Sequence, residues 1–179
     1  MFSNENKKQA DMCRFCWMCR HICPVAGATG SEGWGPRARG LMVSMIERGS
    51  AELDAEIAEA MYHCTMCDAC ANDCETGWKP TDFIREARMY CVANEVAPAA
   101  INTAIDNILT KGNIYGEALN EKLAARIEAL PETADVLVYI GQTGRCFGAD
   151  SAISFLNTLD KAKVGYTTLK DEPPTGALL

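Results

Sequence analysis

The sequence predicts a mainly α fold with a small α/β segment at its C-terminal end, and three observations carry that expectation. Apolar residues recur at helical spacing from residue 37 to about residue 130. Eight of the ten cysteines fall into two copies of one spacing, separated by 40 residues. At Ala134 the period changes, and Val136, Leu137, Val138, Tyr139 and Ile140 form a short continuous apolar run of strand type.

Taken in order, residues 1–12 (MFSNENKKQADM) are polar and contain no apolar stretch of a secretory signal. The first cysteine run follows, Cys13-x2-Cys16-x2-Cys19-x3-Cys23, with Pro24 directly after it. Phe15, Trp17, Met18 and Ile22 fill the gaps between its cysteines, as a water-excluding cover or as ordinary core. Residues 37–48 place Leu41, Met42, Met45 and Ile46 on one helical face and stop at Gly49. Glu52 to Met61 repeats Leu53, Ile57 and Met61, so a helical hairpin separates the two runs. The second run is Cys64-x2-Cys67-x2-Cys70-x3-Cys74.

Pro80 and Thr81 open a helix over Asp82 to Asn94, with Thr81 as the expected cap and Asp82 well placed in the first turn. Pro98 begins another that stops near Gly112, and Glu117 to Leu130 is a third, halted by Pro131. Beyond the strand at 136–140, Gly141 to Gly148 reads as a glycine-rich turn and Asp150 to Lys161 as a helix with Ile153, Phe155, Leu156 and Leu159. A second strand over about Val164 to Leu169 completes a βαβ unit. Two domains are expected, 1–130 helical and 131–179 α/β.

The doubled spacing is the ligand pattern of a pair of 4Fe-4S clusters. A C-x2-C-x2-C turn wraps three thiolates around one cluster, while the fourth cysteine points away and serves the other. Cys13, Cys16, Cys19 and Cys74 are therefore expected at cluster one, and Cys64, Cys67, Cys70 and Cys23 at cluster two. Structural zinc needs only two paired cysteine knuckles or histidines, so the third cysteine of each run would be surplus. A disulfide framework would call for a secreted chain. His21 and His63 adjoin the runs but the cysteines already complete both sets, and Cys91 reads as a buried structural thiol.

Composition excludes other classes. The formal charge of −7 argues against non-specific nucleic-acid binding. No apolar run is long enough to span a bilayer, so any membrane attachment would come through a partner. Oxygen-labile clusters without a secretory segment point to a reducing cytoplasm and an anaerobic setting.

The helical spacer, Gly35-Pro36-Arg37-Ala38-Arg39-Gly40 after the first run and Lys79-Pro80 after the second, resembles the α-helical ferredoxin domain. That domain occurs in heterodisulfide reductase-like iron-sulfur subunits and in glycolate oxidase-like ones, which also include those linked to glycerol 3-phosphate and lactate. The resemblance covers about residues 10–130, with Glu75 standing where a proline is usual. In such proteins a domain with cysteine-rich CCG motifs commonly follows. Here Gln142, Pro174 and Thr175 stand at the matching positions, so residues 131–179 resemble a degenerate start of that domain, without its thiolates and kept for packing or docking. Dinucleotide binding at Gly141 to Gly148 is disfavoured, because the G-x-G-x-x-G spacing is missing and no acidic residue closes the second strand. The chain ends on Gly176-Ala177-Leu178-Leu179, an apolar run that a partner or further sequence would cover.

The resemblance implies an electron-transfer subunit that relays single electrons between a flavoprotein or metal-containing partner and an acceptor, with catalysis in that partner. A diffusible ferredoxin-type carrier and a structural subunit with redox-silent clusters are the alternatives.

Overall fold

The computed structural model describes residues 2–176 and is mainly α, with eleven helices and one two-stranded parallel sheet among the described residues. The apolar end, Ala177 to Leu179, lies outside them. Contacts divide the chain between Asn102 and Thr103 into two compact units. The first holds α1 (Asn4–Asp11), α2 (Met18–Ile22), α3 (Pro24–Thr29), α4 (Pro36–Glu47), α5 (Ala55–Tyr62), α6 (Ala69–Asn72), α7 (Pro80–Ala93) and the start of α8 (Ala99–Lys111). The second holds the rest of α8, then α9 (Glu121–Glu128), β1 (Val136–Val138), α10 (Gln142–Cys146), α11 (Ala149–Lys161) and β2 (Tyr166–Thr168).

The core of the first unit joins Phe2, Ala10, Val43, Met61, Trp78, Phe83, Ile84 and Ala87 where α1, α4, α5 and α7 meet. Helix α1 has no apolar stripe and no helix is expected there from sequence. Ser3 caps it by accepting the Asn6 N–H at 3.3 Å. Its polar side chains then tie it to neighbours, with Lys7 2.7 Å from Glu47 on α4 and Asn6 donating to Glu86 on α7 at 2.6 Å.

Helix α4 corrects the expected face. Leu41 and Met45 are 48% and 38% exposed, while Arg39, Gly40 and Val43 are buried and Met42 and Ile46 lie at the margin of the core. The cause is Trp78, 1% exposed, whose six-membered ring packs close against the helix at Gly40. A Cβ there would stand 2.7 Å from the indole ring. Gly40→Ala should consequently destabilise the first unit by about 1–3 kcal/mol through overpacking, read as a lower thermal midpoint with altered Trp fluorescence.

On α7 the expected Thr81 cap is replaced. Lys79 is the N-cap without a side-chain bond, and the Thr81 hydroxyl donates to Asp68 Oδ1 in the second cysteine run. One turn from the end of α7, buried Arg88 donates to the carbonyl of Met61 from Nε and Nη2 at 3.1 and 3.0 Å, and to those of Tyr62 and Cys64. These bonds hold the C-terminal end of α5 and the first cysteine of the second run. Cys91 is fully buried with Ala58 and Ala97, packing as a small hydrophobe.

The second unit contains the βαβ arrangement, with Val136 paired to Tyr166 and Val138 to Thr168 in parallel register. Its core is Leu123, Ile127, Ala149, Leu156 and Tyr166. Helix α9 is shorter than 117–130 because Gly116 turns the chain with φ +70° and Asn120 caps the helix by accepting from Lys122 and Leu123. Its two inward residues pack in the core with α11 and β2, so α9 lies with the α/β segment in the second compact unit. The expected turn at Gly141 to Gly148 contains the short helix α10. Of the apolar residues on α11, Leu156 is buried and Phe155 is 54% exposed.

Candidate metal centre

Each cysteine run begins with a loop of the same unusual backbone. Phe15 and Trp17 in the first, and Met66 and Asp68 in the second, have φ between 55° and 71°, the left-handed region. Such a conformation costs a residue with a side chain about 1–2 kcal/mol. It persists here because it turns amides onto sulfur: the Phe15 N–H donates to Cys13 Sγ at 3.4 Å and the Met66 N–H to Cys64 Sγ at 3.4 Å. Strain repeated at matching positions of two loops is a mark of a functional site.

The fourth cysteine of each run is held differently. Cys23 caps α3, its sulfur accepting the Ala26 N–H at 3.5 Å, and Pro24 starts the helix. Cys74, followed by Glu75, has no such helix. Its turn is closed by the Gly77 N–H on the Cys74 carbonyl at 3.0 Å, with Gly77 at φ +69°. Thr76 Oγ1 lies 3.2 Å from the sulfur.

The loops meet through α2 and α6. One cavity of about 390 Å³ is lined by Cys13, Cys16, Cys19 and Cys74, with Trp17, Arg37 and Trp78 among the remaining walls. A second, narrow cleft is lined by Cys23, Cys64, Cys67 and Cys70, with Arg39 and Ile84. At about 20 Å³ it must widen to admit a cluster, and Cys67 stands at its exposed side. Cys70 lines both cavities. His21 and His63 line neither; the His63 ring sits 4.2 Å from the Trp34 ring. Phe15, Trp17 and Met18 are not core: they are 52%, 44% and 58% exposed around the first run. Arg37 stacks over Trp17 at 3.8 Å and pairs with Glu32.

The donor set fits a cationic iron core. Burial, then the neighbouring Cys13 and Cys16, push the Cys19 thiol up to about 11. Burial, then Cys64, Cys19, Cys67 and Cys23, push Cys70 up to about 12. At Cys74 burial acts upward, but hydrogen bonds from Thr76 and Trp78 outweigh it and lower the pKa. Crowded sulfurs of this kind ionise together only against positive charge in their midst. Two buried donors point the same way. Trp78 Nε1, on a wall residue of the first cavity, and Arg39 Nη2, on a wall residue of the second, find no hydrogen-bond partner. Anionic sulfur is the acceptor such groups lack. No three His, Cys, Asp or Glu side chains among the described residues converge on one ion. Thiolates around a single zinc stand roughly 3.8 Å apart, from Zn–S bonds of about 2.3 Å, whereas those on a cube each bind a separate iron and stand wider.

Sequence reasoning missed Arg39, Arg88 and Trp78. The signal available was an arginine inside the apolar period of α4, at the spacing of Val43.

In the second unit, Gln142 and Pro174 line a cavity of about 640 Å³ with Cys146, whose thiol pKa burial raises. Gln142 and Thr175 share a neighbouring one. Buried Glu172, four residues beyond β2, accepts the N–H groups of Ile140 and Gly141 at 2.7 and 2.8 Å. Its carboxylate takes the amides that a phosphate would need.

Two interlocked cysteine loops on a small helical core define the class, an iron-sulfur domain for a pair of clusters. In agreement, a family model for a 4Fe-4S dicluster domain matches residues 9–78, spanning both runs and ending at Trp78. No curated protein matches the chain. Two 4Fe-4S clusters are its cofactors, and its ferredoxin-type domain transfers electrons through them. Among the described residues no helix is long and apolar enough to cross a membrane.

Proposed function

We propose that the chain is the electron-transfer subunit of a multi-subunit redox complex, relaying single electrons between a flavin- or metal-containing partner and an acceptor. Cys13, Cys16, Cys19 and Cys74 hold the first cluster, and Cys64, Cys67, Cys70 and Cys23 the second. The observation that carries this reading is the pair of adjacent cysteine-lined cavities with Cys70 on the wall of both, five cysteines at the first and four at the second, an arrangement that keeps the path between two clusters short. When bound, each thiolate-ligated cluster supplies a one-electron carrier with no open position for substrate. The chain's own residues position the sulfurs, exclude water with Trp78 and Ile84, and supply N–H donors.

Exposed apolar side chains support a subunit over a free carrier. Phe15, Trp17 and Met18 surround the first run, and Leu137 and Phe147 are 58% and 64% exposed on the second unit. In this reading the second unit, resembling a CCG domain without its thiolates, serves as a docking element.

The test is anaerobic purification from native extract followed by redox titration. About eight irons and eight sulfides per chain, two one-electron steps and co-elution with a flavin- or metal-containing subunit are expected. Elution alone, with both steps intact, would make the chain a free carrier. Clusters that never change state would make it a scaffold.

A further inference from the structure

The two cavities differ in the unsatisfied donor that a wall residue of each carries. In the first it is the neutral indole N–H of Trp78. In the second it is a guanidinium: Arg39 is 1% exposed, donates from Nε to the Ala60 carbonyl at 2.6 Å, and leaves Nη2 buried without a partner. Among the described residues Arg39 forms no ion pair. The carboxylate on the same cavity, Asp68, is exposed and accepts from Thr81. Burying a cation without a counter-ion is costly, so the arrangement is stable when an anion faces it.

Resting on the ligand assignment above, we infer that Arg39 sets the order of the two potentials, making the cluster on Cys23, Cys64, Cys67 and Cys70 the first to be reduced. Reduction adds one negative charge to an already anionic group, and a buried cation beside it stabilises the reduced state more than the oxidised one. Arg88 adds a second buried positive charge near Cys64, although its donors are taken by backbone carbonyls. Around the first cavity the charges are Arg14, Arg37, Asp73 and Glu75, two of each sign. Arg37 is paired with Glu32 and the others are exposed, so solvent screens them. An electron reaching the chain therefore rests at the second cluster, and the first, beside exposed Phe15, Trp17 and Met18, faces the exchange partner. Arg39 acts here as a positioning residue that tunes a potential.

The experiment is potentiometric EPR of the full, anaerobically loaded chain, with Cys74→Ala used to assign the couples. Arg39→Gln should lower the higher-potential couple by at least a tenfold change in its reduced-to-oxidised ratio, 59 mV for one electron, and leave the other couple in place. Arg39→Lys, which keeps the charge, should restore most of the loss. Unchanged potentials in Arg39→Gln, or an equal shift of both, would overturn the inference while leaving the two-cluster reading standing. A chain with fewer than two clusters would sink both. If neither variant folds, pulsed EPR of the 15N-arginine-labelled natural protein decides: nitrogen coupling to the first-reduced cluster supports the role, and its absence refutes it.

Discussion

Replacing Cys74 with alanine should remove the first cluster and spare the second, although Cys74 closes the second cysteine run. Its sulfur lines the cavity of Cys13, Cys16 and Cys19, and its charge acts on Cys19. The hydrogen bonds from Thr76 and Trp78 aim it there. On the proposed assignment the first cluster would then keep three thiolates and an open iron, a corner prone to oxidation or hydrolysis. Iron should fall from about eight to about four per chain, with the remaining EPR signal that of the cluster on Cys64, Cys67 and Cys70. Cys23→Ala should do the reverse, because Cys23 lines the other cleft. Loss in the Cys74 variant of the cluster belonging to its own run would overturn the crossed assignment.

Arg88→Met should cost about 3 kcal/mol or more and release iron from the second site first. The buried guanidinium reaches three consecutive-region carbonyls, those of Met61, Tyr62 and Cys64, which join the end of α5 to the opening cysteine of the second run. Methionine fills similar space but donates nothing, and each buried carbonyl stripped of its donor costs about 1–3 kcal/mol. Burial lowers the Arg88 pKa, yet these acceptors keep the cation in place. Thermal unfolding of the loaded protein, followed by helical circular dichroism together with cluster absorbance, measures the effect. A midpoint equal to that of the unsubstituted chain would show that water reaches these carbonyls.

Much of this protein is legible in the sequence because its signals are local. Helices α4, α5, α7, α8 and α11 fall close to where apolar periods, Gly49, Pro80, Pro98 and Gly112 place them, since a helix end depends on a few neighbouring residues. Helix α1 was invisible because what holds it is distant: Glu47 and Glu86 lie on other helices. The inward face of α4 was misjudged for a similar reason. Leu41 and Met45 are apolar, but Gly40 is what admits the Trp78 ring, and only the packed structure brings residues 40 and 78 together.

The sequence by itself determined that eight cysteines come in two matched runs, that helices separate them, and that a strand-helix-strand segment follows. These properties are carried by spacing along the chain, which folding does not alter. The tertiary structure alone decided which sulfurs share a wall, that Arg39 and Trp78 are buried beside them with unpaired donors, and that α9 joins the second unit. Burial and charge environment arise from residues far apart in sequence: the place of Arg39 in the apolar period of α4 signals burial, but what its guanidinium meets is decided by residues of other elements.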